Sequence, residues 1–147
     1  MVEQSFETLK VWQMSHKLML DVHHKLIPLL PKEEKYGIAD QVRRSSKSVG
    51  ANIAEGAGRF YYMDNVRFCY MARGSLDETL NHLLVIKDLG FCENELYENL
   101  RAQIEEIRRL LNGYINWLKT KKIGQNEPGA AITVREFPPE YFIEEAL

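Results

Sequence analysis

The apolar residues between positions 96 and 118 of this 147-residue chain recur at alternating spacings of four and three. They are Leu96, Leu100, Ile104, Ile107, Leu111, Tyr114 and Leu118. An α-helix brings residues at these spacings onto one face, so the segment predicts a long helix with a continuous apolar stripe. Such a stripe is stable in water only when it is covered, so the rest of the chain must supply elements that pack on it.

Three other segments repeat apolar residues with a helical period, at about residues 6–27, 39–55 and 64–89. Asp64 is the expected N-cap of the last of these segments, and Gly90 stands where a glycine commonly ends a helix. No segment shows a convincing strand pattern. Four long helices with short connections predict an all-α fold, an antiparallel up-down four-helix bundle followed by a C-terminal extension.

Proline and glycine mark the two earlier connections. Pro28 and Pro31 follow the first segment, and proline both removes a backbone donor and disfavours helix in the residue before it. Gly56 and Gly58 follow the second segment, and we expect them to end it by adopting left-handed conformations. The second segment is also rich in small residues, which allow a neighbouring helix to approach closely. These residues are Ser45, Ser46, Ser48, Gly50, Ala51 and Ala54.

The predicted bundle occupies residues 1–122, and residues 123–147 form an extension of acidic and aromatic character. Its Pro138-Pro139 pair is typical of a loop. Its apolar residues are nevertheless too frequent for a segment that is only solvated. We therefore expect the extension to be held against its own bundle or against a neighbouring subunit.

Composition excludes several classes of protein. Two cysteines are too few for a disulfide scaffold, and a 45% share of hydrophobic residues is too high for a disordered chain. The chain has no run of about 20 apolar residues with which to span a membrane. Its N-terminus also lacks a charged-then-apolar signal pattern, so we expect a cytoplasmic protein that does not associate with membranes.

The formal net charge of -2 conceals a basic segment, because residues 35–73 carry seven basic and three acidic side chains. Positive charge binds phosphate, and the aromatic residues at positions 36 and 60–62 offer faces on which bases stack. The alternative is that the arginines form salt bridges with Glu55, Asp77 and Glu78 or with adjacent subunits. The candidate nucleic-acid-binding residues are Arg43, Arg44, Lys47, Arg59, Arg67 and Arg73.

Catalysis or metal binding requires converging nucleophiles, bases or ligands, and the chain offers few. Asp21 and His24 are three residues apart, as in carboxylate-bridged dimetal bundles. Those sites need two Glu-x-x-His motifs and two further glutamates that face inward, whereas this chain has a single Asp version of the motif and no second copy. Cys69 and Cys92 have no histidine nearby in sequence, so we interpret them as a core thiol and a loop thiol. The sequence therefore predicts no enzyme, no metal site and no cofactor.

Four ordered blocks, at residues 6–13, 36–45, 51–59 and 72–78, resemble the bacterial four-helix-bundle family of rRNA-intervening-sequence proteins. The most specific block reads Ala-Asn-Ile-Ala-Glu-Gly-x-Gly-Arg over residues 51–59. The resemblance covers roughly residues 6–119 and implies a homopentamer. Some members are encoded inside extra segments of large-subunit rRNA genes. A related branch, the accessory variability proteins of diversity-generating retroelements, binds a reverse transcriptase and nucleic acid through a basic pentamer surface.

The apolar faces of the first and fourth helices are wider than a four-helix core can cover, which predicts burial between subunits. The surplus on the fourth helix comprises Leu110, Tyr114, Ile115 and Trp117. We interpret the chain as a non-catalytic homo-oligomer that acts as a nucleic-acid-associated accessory or scaffold protein. It would contact the backbone of RNA or DNA without reading bases. The alternative is an adaptor that docks a partner such as a reverse transcriptase, with the acidic extension as a strap.

Overall fold

The computed structural model describes residues 5–126, in which four α-helices hold most of the residues. The helices are α1 at Lys10–Asp21, α2 at Ile38–Ala57, α3 at Tyr62–Asp88 and α4 at Asn94–Lys121. The predicted all-α class is confirmed, and no strand occurs between residues 5 and 126. The prediction that the C-terminal extension is held against the protein concerns residues 127–147 above all, which lie outside the described part.

Interhelical hydrogen bonds show how neighbouring helices run. In the contact between α2 and α3, the Thr79 hydroxyl donates to Ser45 Oγ at 2.9 Å and the Ser75 hydroxyl donates to Ser48 Oγ at 2.9 Å. The partner of Ser45 is Thr79, whereas the partner of Ser48, further along α2, is Ser75, which comes earlier in α3. These two helices therefore run in opposite directions. Helix α3 also packs against α4, and α1 packs against both α2 and α4.

The core is built from the apolar stripes of all four helices. The stripe predicted for α4 is buried, except that Leu96 and Tyr114 are half-buried against the core. The largest fully buried side chains include Leu18, Leu26, Val42, Ile53, Leu76, Leu83, Ile86, Leu100, Ile104, Ile107 and Leu111. Burial of these side chains away from water is the main source of stability in a fold of this type.

The predicted apolar surplus on α4 is partly covered within one subunit, so the expectation was wrong for Ile115. Ile115 is buried, and Leu110 and Tyr114 pack against the core. Only Trp117 is exposed, with 46% of its surface accessible.

The segment predicted as one helix over residues 6–27 consists of several pieces. A 3-10 turn covers Phe6–Thr8, and α1 then continues into a wider π-helical turn at Val22–Leu26. The wide turn comes directly before Pro28, whose ring would clash with the carbonyl of residue 24 if the α-helix continued. Proline therefore ends this helix as predicted, and it does so through a local widening of the backbone.

Two expectations about helix ends were wrong. Gly58, at the end of α2, has a φ of -75°, and Gly56 lies within the helix; neither is left-handed. Glycines with positive φ are instead Gly90 and Gly124, both at 78°. Asp64 is not the N-cap of α3, because the helix begins at Tyr62 and Asp64 lies in its first turn. A carboxylate is favourable there because it faces the positive end of the helix dipole.

Gly56 is instead required by the close contact between α2 and α3. The residue is buried, and a Cβ atom there would lie 2.6 Å from Asn65 Oδ1 and 2.9 Å from Phe68 Cβ. Both distances are shorter than van der Waals contact. The glycine therefore lets the start of α3 pack directly on the backbone of α2.

We expect Gly56→Ala to lower the free energy of unfolding by about 2 kcal/mol, since overpacking forces the two helices apart. Gly74→Ala is the matched control, because Gly74 is also within a helix but has no atom within 4 Å of the added Cβ. That variant should gain about 0.5–1 kcal/mol from helix propensity. Urea denaturation followed by circular dichroism measures both, and a stabilised Gly56→Ala protein would contradict the close contact.

Candidate nucleic-acid interface

The six predicted nucleic-acid-binding residues fall into two groups that lie at different places on the bundle. Arg43, Arg44 and Lys47 lie in the first half of α2. Arg59 lies in the α2–α3 connection, and Arg67 and Arg73 lie in the first half of α3. The structure therefore does not bring all six residues together in one basic band.

The first group is partly neutralised by its own helix. Asp40 Oδ2 lies 3.3 Å from Arg44 Nε, and Asp40 Oδ1 lies 3.7 Å from Arg43 Nη1. These ion pairs at spacings of three and four are exposed, so each stabilises the helix by only about 0.3–0.5 kcal/mol. Lys47 is exposed and has no carboxylate partner within residues 5–126.

His23, in the π-helical turn, lies close to this first group. Its Nε2 atom is buried and finds no hydrogen-bond partner in the described part of the chain. Burial lowers the pKa of His23, and the positive charges of Lys47 and Arg43 lower that pKa further. The imidazole is therefore held in its neutral form beside two cations.

The second group also pairs with acidic residues of its own segment. Arg59 Nη2 donates to Glu55 Oε1 at 3.0 Å, and Arg67 Nη1 lies 3.8 Å from Asp64 Oδ1. Each acidic residue of the basic segment 35–73 is thus engaged by an arginine of that same segment. The salt-bridge alternative is realised at Glu55, whereas Asp77 and Glu78 pair with other residues, Arg108 and His82.

Arg73 differs from the other four candidate arginines because its described partners are neutral. Its Nη1 donates to Asn112 Oδ1 of α4 at 3.2 Å, and its guanidinium lies 5.0 Å from the centre of the Tyr70 ring. Lys119 Nζ, from the last turns of α4, lies 5.3 Å from the centre of the same ring. Two cations therefore share one aromatic ring in the groove between α3 and α4.

The end of α4 brings further lysines to the α2–α3 connection. The Tyr62 N–H donates to the Ile123 carbonyl at 2.9 Å, which fastens the turn after α4 to the start of α3. Lys121 and Lys122 line a recess together with Phe60 of the connection. We call the resulting surface the cationic end. It comprises Arg59, Arg73, Lys119, Lys121 and Lys122.

Sequence reasoning missed the three lysines of the cationic end. They follow the basic segment by more than 40 residues. Lys119 and Lys121 in the last turn of α4, and Lys122 directly after it, are also favourable there for a local reason, since cations stabilise the negative end of the helix dipole. The only available signal was the proximity expected between the end of the fourth helix and the connection between the second and third helices in a bundle.

A cavity of about 320 Å³ opens beside the cationic end, between the start of α3 and the end of α4. We call it the aromatic cavity. Its aromatic lining is Phe6, Phe60, Tyr62, Tyr114 and Trp117, and its polar lining is Ser5, Thr8, Arg59 and Asn65. The Tyr114 and Trp117 rings are nearly parallel, at 13°, with centres 6.1 Å apart. The cavity therefore presents flat aromatic surfaces next to positive charge.

Asn65 links the floor of this cavity to the core. Its Nδ2 donates to the Tyr114 hydroxyl at 3.1 Å, and its Oδ1 accepts from Cys69 Sγ at 3.6 Å. Burial raises the pKa of Tyr114, so the phenol keeps its proton. The arrangement fixes the ring of Tyr114 in the cavity wall.

The remaining candidate groups carry structural roles. Burial raises the pKa of Cys69 to about 12, and burial also raises the pKa of Cys92, so both thiols are unsuited to nucleophilic attack. The Asp21 carboxylate lies 2.7 Å from Lys17 Nζ and accepts from Gln103 Nε2 at 2.8 Å. Within residues 5–126, no cluster of three or more His, Cys, Asp or Glu residues has metal-binding geometry. No helix there has the length and apolarity needed to cross a membrane.

Comparison with known proteins places this arrangement in a family. Residues 7–113 match the sequence model of the 23S rRNA-intervening sequence protein family. The chain belongs to this family. The match includes α1, α2, α3 and most of α4, so it covers the cationic end except for its three lysines.

Among solved structures, this family member is similar to a protein with unknown function from the S23 ribosomal protein family of Bacteroides thetaiotaomicron. The two share 26% sequence identity with a TM-score of 0.66 over 71% of this chain and 97% of the other. No curated protein matches the chain. The predicted family is thus confirmed, and no enzymatic activity is indicated by either comparison. The relation to accessory variability proteins of retroelements stays a prediction.

The neutral state of His23 makes stability depend on pH. The folded pKa lies below the ordinary value of about 6.5, so the unfolded state binds more protons as the pH falls through about 6.5. We therefore expect the free energy of unfolding to decrease between about pH 7 and pH 5. His23→Gln should reduce this decrease, whereas His16→Gln, at an exposed position of α1, should not.

Urea denaturation of the two variants at several pH values provides the measurement. The slope of the free energy of unfolding against pH is compared between proteins, because either substitution also changes the absolute stability. Equal slopes in His23→Gln and the unmodified protein would contradict the role of His23.

Proposed function

We propose that this protein is a non-catalytic accessory factor that binds the phosphate backbone of RNA or DNA through its cationic end. The observation that carries the proposal is that four cations of this surface are not paired with carboxylates in the described part of the chain. Arg73, Lys119, Lys121 and Lys122 have no carboxylate partner among residues 5–126. Their charge is therefore available to phosphates, in contrast to the arginines that are paired along α2.

Backbone binding follows from the chemistry of these side chains. A cation that neutralises a phosphate releases a condensed counterion, and this release drives sequence-independent binding. Lys121 and Lys122 are exposed, and Lys119 and Arg73 flank the Tyr70 ring. The family description refers to intervening sequences of 23S rRNA, so RNA is the first nucleic acid to test.

The proposed function includes self-association, as a homopentamer by resemblance to the family. Symmetric copies would repeat the cationic end around one axis and raise the local positive potential. Such a contact would cover the exposed apolar side chains of Met71 and Val85 on α3 and of Leu89 directly after it. Mass photometry or light scattering tests it, and a stable monomer at micromolar concentration would contradict it.

Salt titration tests nucleic-acid binding directly. We expect the affinity for a labelled single-stranded RNA to fall steeply between about 50 and 200 mM salt. The triple variant Lys119→Gln, Lys121→Gln, Lys122→Gln should lower the slope of log affinity against log salt by about two. Fluorescence anisotropy gives the affinities.

The matched control removes the same number of charges from the other basic group. Arg43→Gln, Arg44→Gln, Lys47→Gln should change the slope less, because Arg43 and Arg44 already pair with Asp40. Equal effects of the two triple variants would show that net charge alone matters and would contradict the assignment to the cationic end.

The alternative function, an adaptor that docks a partner such as a reverse transcriptase, gives a different result in this titration. An adaptor that makes no contact with nucleic acid shows no binding even at about 50 mM salt, where phosphate contacts are strong. That result would overturn the proposed function.

A further inference from the structure

The aromatic cavity lies next to the cationic end, and backbone binding alone does not use it. We infer that this cavity accepts one unstacked base of a single-stranded nucleic acid, an inference that rests on the proposed function. The inference narrows the class of nucleic acid, because bases within a duplex are stacked and cannot enter a pocket without being extruded. Single strands are therefore the preferred ligand.

The shape and chemistry of the cavity fit a flat heteroaromatic ring. A volume of about 320 Å³ lies at the lower end of small-molecule sites. The walls include Tyr62, Tyr114 and Trp117, and aromatic faces stack any base because every base has a π-face. Stacking of this kind gives affinity without sequence specificity, in agreement with the expectation that the protein does not read bases.

Polar groups inside the cavity match the edge of a base. The Tyr114 hydroxyl accepts its hydrogen bond from Asn65, so its own hydrogen remains to be donated to a carbonyl or ring nitrogen. Because Asn65 is buried and held between Tyr114 and Cys69, the hydroxyl is positioned before a ligand arrives. Preorganisation of this kind lowers the entropic cost of binding.

The positive charge at the mouth of the cavity suits the phosphates that flank the inserted base. Arg59 lines the cavity, and Phe60 lines both the cavity and the neighbouring recess of Lys121 and Lys122. Phe60 is 63% exposed although it is a large apolar residue. A strand that inserts one base beside Phe60 therefore has its adjacent phosphates near Lys121 and Lys122, which have no carboxylate partner among residues 5–126, whereas Arg59 is paired with Glu55.

Other occupants of an aromatic cavity are a second copy of this chain or the aromatic residues of the C-terminal extension. A nucleic acid fits better than a second copy because the mouth is cationic and like charges of two copies would repel. The extension is acidic and contains aromatic residues. Its occupancy is therefore an outcome that the experiment must distinguish.

The decisive comparison uses the full chain and two labelled strands with equal numbers of phosphates. One is a 12-nucleotide oligo(dT), and the other is an abasic strand of the same length. Backbone contacts are the same for both, so the ratio of their affinities reports the contribution of the bases. We expect oligo(dT) to bind about tenfold more tightly than the abasic strand, since stacking of one base has this magnitude.

Point variants show whether the aromatic cavity causes this difference in affinity. Trp117→Ala and Phe60→Ala should each reduce the ratio towards one while leaving the affinity for the abasic strand unchanged. The matched control is Tyr36→Ala. Tyr36 is also an exposed aromatic residue beside a cation, at 5.3 Å from Lys35 Nζ, but it precedes α2 whereas Phe60 follows it. The control should retain the full ratio.

Equal affinity for oligo(dT) and the abasic strand would overturn the inference and leave backbone binding intact. Binding of neither strand would overturn the proposed function itself. If Trp117→Ala changes the oligomeric mass and not the ratio, a second copy covers the cavity and the inference is wrong. The inference is also wrong if a base preference appears only after Phe137, Tyr141 and Phe142 are changed to Ala in the full chain, because the extension then occupies the cavity.

Discussion

The close contact between α2 and α3 is the constraint on which the rest of this structure depends. Small polar side chains bond across the middle of the contact, and at its upper end Gly56 has no side chain to separate the two backbones. The approach allows a connection of only a few residues between Ala57 and Tyr62. That short connection carries Arg59 and Phe60 into a fixed position, where the end of α4 meets them. The cationic end and the aromatic cavity are therefore consequences of helix packing.

Periodicity was sufficient to predict the fold class, because an apolar stripe is a property of one helix and is readable from one segment. The stripe of α4 is buried almost as predicted. The ends of helices were less predictable. Gly56 was interpreted as a residue that ends the helix. A glycine is needed there for another reason, because Asn65, 9 residues later in the chain, packs directly against it. Only the folded structure reveals that contact. Local preferences compete with packing at such positions, and packing prevailed.

The candidate site was predictable only in part, for a related reason. Counting charges by segment located an excess of basic residues, but it could not show which of them pair with carboxylates on the next helical turn. Asp40 engages Arg43 and Arg44 in this way, which reduces the charge that α2 offers to a polyanion. Lys121 and Lys122 join the site from the far end of the bundle sequence. Net charge is a property of composition, whereas available charge is a property of the fold.

Asn65 belongs at once to the packing of the bundle and to the wall of the cavity. Its carboxamide oxygen faces the backbone of Gly56, and its nitrogen holds the hydroxyl of Tyr114. A displacement at either contact is transmitted to the other through one rigid planar group. Substitutions at positions 56, 65 and 114 should therefore be non-additive in a double-mutant cycle. In evolutionary terms, the lineage cannot adjust the shape of the cavity independently of the stability of the bundle, which limits the paths by which its ligand preference can change.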